Sequence, residues 1–138
     1  MWASVLPPDH LKQAITQFVH EAPTSFVQLG RVLPQIRGTE DLVVSSGFIL
    51  WRGLSADGVE ALQSLHSASA IFFWLCSPEI YARSGDAPFL RLVSRSHRAG
   101  EQPWLPTMIH DRAPTAMESR KAVKEYVAEI ARYAQPRR

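Results

Sequence analysis

Arg91, Arg95 and Arg98 are the residues whose type and spacing most plainly suit chemistry. In an extended segment, side chains alternate between two faces. Arg91 and Arg95 then share one face with Val93, and Leu90 and Leu92 take the other. A guanidinium is a planar fork that donates paired bonds to phosphate or carboxylate oxygens. With Arg98 close behind, such a strand suits a phosphate backbone. Arg83 before it and Arg120, Lys121 and Lys124 after it extend the basic set. The charge divides unevenly along the chain. Residues 1–90 hold 5 basic and 8 acidic residues, net −3, and residues 91–138 hold 10 and 5, net +5. Such asymmetry points to a polyanion or an acidic partner for the C-terminal part. Ordinary surface charge, paired with Glu79, Asp86 or Glu101, is the plain alternative.

Other reactive residue types carry less. Cys76 closes the most apolar run of the chain, 71–76, where a thiol is expected to be buried and inert. His10, His20, His66, His97 and His110 are scattered, with no pair at the i, i+4 spacing that places two ligands on one helix face. No metal site is expected from them. Glu40-Asp41 reads as a solvated turn. The phosphate-loop, dinucleotide, metalloprotease and EF-hand patterns are all missing. The expectation is a protein that is not an enzyme and takes no cofactor. Phe72-Phe73-Trp74, with Trp51, can offer stacking platforms for bases, although aromatic runs more commonly fill a core.

These side chains need elements to hold them. A chain of 138 residues, 46% hydrophobic and 20% charged, fits one globular domain. A single cysteine excludes a disulfide framework. No apolar run is long enough to span a membrane, and no basic-then-apolar leader opens the chain. A cytoplasmic protein with no membrane partner is expected.

Leu11, Ala14, Ile15, Phe18 and Val19 form one helical face, which predicts a helix over 8–20. Ser25 and Gln28 form a capping box for a second helix, which Pro34 should kink or end, with Gly38 as a late stop. Residues 39–53 read as two short extended pieces around Ser45-Ser46-Gly47, either a hairpin or a loop. Ser55 caps a third helix that buries Val59, Leu62 and Leu65. Residues 71–76 read as a strand, 77–88 as a loop, and 89–95 as the returning strand of a hairpin. The prolines at 103, 106 and 114 mark 97–114 as an irregular linker, pinned by Trp104 and Leu105. A second capping box, Thr115 with Glu118, opens a final amphipathic helix over 116–134 with an apolar stripe of Val123, Tyr126, Val127, Ile130 and Tyr133, of which Val123, Val127 and Ile130 are expected buried.

The order helix, helix, helix, hairpin resembles a winged helix-turn-helix, and within that class the LOTUS (OST-HTH) type. The resembling stretch runs over about 10–93. It includes Phe26-Val27-Gln28-Leu29-Gly30, Gly53-Leu54-Ser55, Ala61-Leu62-Gln63-Ser64-Leu65 and the strand at 71–75. The resemblance implies an α+β fold: three helices plus a β-hairpin wing, with an extra C-terminal amphipathic helix. It divides the chain into a winged-helix-like domain over 1–96, the linker over 97–114, and a helix over 115–138. That helix packs on the same domain or pairs with a second copy as a homodimer. It also implies a regulatory role with nucleic acid, DNA or RNA, or with a protein partner. One departure matters. Residues 55–68 carry Asp57 and Glu60 and no Lys or Arg, so the third helix would be repelled by a duplex. Nucleic acid would then be held by Arg83, Arg91, Arg95, Arg98, Arg120, Lys121 and Lys124. The alternative is a protein-interaction module that uses the acidic third helix and hydrophobics near the wing.

Overall fold

The computed structural model describes residues 8–44, 47–84 and 104–133. Among them are five α-helices and two separate two-stranded antiparallel sheets, a mixed α+β architecture. Helix α1 (Pro8–Glu21) buries Leu11, Ile15 and Val19, with Phe18 partly covered, as its apolar spacing predicts. Helix α2 (Phe26–Val32) begins with the expected capping box. Ser25 Oγ accepts from Gln28 N at 3.1 Å, and Ser25 N donates to Gln28 Oε1 at 3.5 Å. Pro34 cannot donate the amide that a longer helix would need, so the chain tightens into a 3₁₀ turn, Pro34–Ile36.

Of the two readings of 39–53, the structure takes the hairpin. Strands β1 (Arg37–Val43) and β2 (Ile49–Leu54) pair antiparallel with irregular register. Gly38 is not a helix stop. It lies inside β1, where an added Cβ would sit 2.7 Å from Leu54 O, so only glycine lets the strand pass this close. Helix α3 (Ala56–Ser67) starts at its expected cap: Ser55 Oγ accepts from Gly58 N at 3.0 Å and donates to Gln35 O at 2.8 Å. Leu62 and Leu65 are buried, and Val59 is partly so. Together with Leu11, Ile15 and Leu29 they form one apolar core.

Beyond α3 the structure corrects three expectations. Strand β3 (Phe72–Leu75) forms where a strand was expected, but the partner it shows is β4 (Thr107–His110). The expected returning strand at 89–95 lies outside the described residues. The 97–114 stretch is therefore not all irregular linker. Trp104 is buried, Leu105 N donates to Ile49 O at 2.9 Å, and Ile109 exchanges two backbone bonds with Thr24. The prolines at 103, 106 and 114 flank the four-residue strand without interrupting it, which hid it.

Second, 77–88 is not simply a loop, because Glu79–Ser84 form helix α4. Ser77 Oγ accepts from Glu79 N at 3.2 Å, and Ser77-Pro78-Glu79 is a helix-start pattern: a hydroxyl cap, a proline whose missing N–H costs nothing there, and an early carboxylate.

Third, helix α5 (Ala116–Tyr133) turns only the Tyr126 edge of its expected stripe to the body. Its Thr115/Glu118 capping box is present at 2.9 and 3.1 Å. Yet Val123 and Val127 are 51% and 56% exposed, and Tyr126 is the side chain buried, at 5%. The Ile130 side chain lies outside the described residues. The helix packs on β3 along a narrow line, and Ser77 Oγ donates to Glu129 Oε2 at 2.9 Å beside it. Apolar spacing marks a broad stripe, and a single packing line covers only one margin of it. No described helix is long and apolar enough to cross a membrane.

Candidate functional site

Of the residues expected to form a basic surface, four are undescribed wholly or in their side chains and three share one side of α5. Arg83 is in α4, and its side chain lies outside the described residues. Arg91, Arg95 and Arg98 lie outside them altogether. Arg120, Lys121 and Lys124 are exposed on α5. At 3.6 residues per turn they share the side opposite Tyr126, so they face away from the core.

A different cationic site is assembled by elements that the sequence separates. Helix α2 lies against the β1–β2 hairpin, and between them is a cavity of about 310 Å³. Arg31 from the end of α2, Arg37 from the start of β1 and Arg52 from the middle of β2 all line it. The rest of its wall is apolar or aromatic, chiefly Phe26, Ile36, Trp51 and Leu54. No side chain among the described lining residues carries a hydrogen-bond acceptor.

Local structure explains the convergence. The 3₁₀ turn after α2 reverses the chain, so Arg37 enters β1 alongside the helix it has just left. Gly30 makes the approach possible: a Cβ there would stand 3.2 Å from Arg37 Cγ, so the aliphatic stem of Arg37 lies over the helix backbone. Asp41 holds Arg52 through two bonds, Nε to Oδ1 at 3.0 Å and Nη2 to Oδ2 at 3.3 Å. These hydrogen bonds push the Arg52 guanidinium further toward its charged form. Arg37 makes no ion pair with any described residue.

The aromatic residues divide between core and surface. Trp51 lies between Phe26, stacked at 5.7 Å and 6°, and Tyr81, tilted at 4.9 Å. Phe26 and Tyr81 both pack on it, so it is part of an aromatic cluster. Its indole N–H donates to no described residue, whereas those of Trp74 and Trp104 donate to Arg112 O and Leu50 O. Trp74 carries the surface stack: His110 lies parallel at 3.6 Å, and the Arg112 guanidinium lies 4.7 Å from the ring centre. Arg112 also grips Glu118 with two bonds of 2.9 Å, which ties β4 to the start of α5. Burial, then the nearby Arg112 charge, holds His110 below its ordinary value. Burial pushes the Cys76 thiol up to about 12, so it is protonated at neutral pH.

The groove arginines were missed because the charge count for residues 1–90 is net negative. Three of the five basic residues in that stretch meet at one cavity. One signal was readable: Arg31 and Arg37 flank the Pro34 break, so any reversal there brings them near each other. No protein-family model, no curated protein and no solved structure matches this chain.

Proposed function

We propose that this chain is a non-enzymatic, winged-helix-like module of the LOTUS type that binds nucleic acid in a regulatory role. The packing of α1, α2 and α3 around Ile15, Leu29 and Leu62 supports the fold reading. The observation that carries the functional reading is the groove between α2 and the β1–β2 hairpin. Arg31, Arg37 and Arg52 are among its lining residues, Arg52 already bonded to Asp41, and no described lining side chain can accept a hydrogen bond. Such a lining favours a ligand rich in acceptor oxygens and negative charge, which a phosphate backbone is. Helix α3 is a poor reader of a duplex, because Asp57 and Glu60 are both exposed on it. The favoured substrate is therefore a single strand. Arg120, Lys121 and Lys124, with Arg83, Arg91, Arg95 and Arg98, would extend the interface along the strand.

The test is binding of single- and double-stranded DNA and RNA across a salt series. Wild type, Arg37→Ala, and an Arg91→Ala/Arg95→Ala/Arg98→Ala variant are compared. Each phosphate that a variant no longer neutralises should flatten the log–log salt slope by about 0.7–0.9. Unchanged affinity and slope in Arg37→Ala would remove the groove from the site.

A protein-partner reading has its own support. Val123 and Val127 are exposed on α5, on an apolar margin beside its packing line. Binding there of a protein, or of a second copy, would be far less sensitive to salt than binding of phosphate. Light scattering separates the second copy from the monomer.

A further inference from the structure

We infer that the groove between α2 and the β1–β2 hairpin receives one nucleotide at a phosphorylated end of a nucleic-acid strand. This rests on the nucleic-acid reading above and narrows it to strand ends. Size is the first argument. The cavity of about 310 Å³ lies at the lower bound of small-molecule sites, roughly 300–1,000 Å³. It has room for about one nucleotide unit. Buried Phe26, Ile36 and Leu54 form part of its wall.

Donor chemistry is the second argument. Arg37 brings a guanidinium with no ion pair to any described residue. Arg52 spends two N–H groups on Asp41, which leaves the remaining donors of its fork uncommitted. Trp51 adds an indole N–H that has no described partner. An internal diester carries one negative charge and two non-bridging oxygens. A terminal monoester carries about −1.5 to −2 at pH 7 and offers three strong acceptor oxygens. The monoester is the better match to a lining in which Arg37 has no described carboxylate beside it and no described lining side chain is an acceptor. The flat guanidinium planes suit stacking of the adjoining base.

Arg37 is exposed, so its removal leaves the core intact. Gly30→Ala is the second variant: it crowds the stem of Arg37 without removing its charge, and alanine is otherwise the better helix residue. The experiment measures binding of ten-nucleotide RNA and DNA strands bearing a 5′-phosphate, a 3′-phosphate, or hydroxyls at both ends, with a dye on the opposite end. One phosphorylated end should bind at least tenfold more tightly than the hydroxyl strand. Arg37→Ala should abolish that preference, and Gly30→Ala should reduce it. Equal binding of all three strands, abolished in Arg37→Ala, overturns the end-recognition inference and leaves the nucleic-acid reading standing. No binding of any strand by wild type overturns both. A phosphoserine peptide that binds as tightly as the phosphorylated strand overturns the choice of nucleic acid.

Discussion

Tyr81→Phe is the most informative single perturbation of this fold. Tyr81 is fully buried, yet its hydroxyl serves two elements at once. It accepts from Phe26 N at 3.1 Å and donates to Thr107 O at 2.6 Å. Phe26 opens α2, so its amide is one of the orphan donors of a helix start. Ser25 satisfies the amide of Gln28, and Tyr81 satisfies that of Phe26. Thr107 opens β4, so one hydroxyl ties the α2 start to the second sheet. Removing it leaves a buried donor without a partner and a buried carbonyl one bond short, with little change in packing volume. An unsatisfied buried donor costs about 1–3 kcal/mol and one lost hydrogen bond about 0.5–1.5 kcal/mol, so the two together give about 2–4 kcal/mol. With a urea slope of about 1.5–2 kcal/mol/M, the midpoint should fall by ~1–2 M at unchanged slope. Tryptophan fluorescence follows the transition, and amide exchange at Phe26 should accelerate more than the global loss requires. A destabilisation under about 0.5 kcal/mol, with Phe26 still protected, would refute the assigned role of the hydroxyl.

Two further perturbations test the core and the C-terminal helix. Leu62 is fully buried in the core that α1, α2 and α3 share, so Leu62→Ala should cost about 2–5 kcal/mol in equilibrium unfolding. The Glu118 carboxyl is held down at about 2, first by its Arg112 hydrogen bonds and then by the Thr115 backbone N–H, against an ordinary value of 4.5. A lowered pKa contributes stability above the ordinary value, and that contribution fades as pH falls from 4.5 toward 2. Glu118→Gln should therefore fray the start of α5 at neutral pH and flatten the acid response in that window, read by amide exchange over 116–122.

Local patterns were legible wherever a few neighbouring residues decide the outcome. Ser25 with Gln28, Ser55 with Gly58, and Thr115 with Glu118 mark three helix starts, because a cap is closed by residues three positions apart. The buried face of α1 follows equally from spacing. The pairing of β3 with β4 did not follow, since more than thirty residues of chain separate them and four-residue strands carry little pattern. Nor did the rotation of α5. Its apolar stripe permits several settings, and packing against β3 selects the one that buries Tyr126 and exposes Val123 and Val127. The groove is the clearest case. Arg31, Arg37 and Arg52 belong to a net-negative stretch, and a sum of charge along the chain holds no information about direction in space. Sequence alone determined where α2, α3 and α5 begin and which faces of α1 and α3 are apolar, because those are matters of short range. Only the tertiary structure decided which cations meet, because that depends on how the Pro34 reversal lays β1 and β2 against α2.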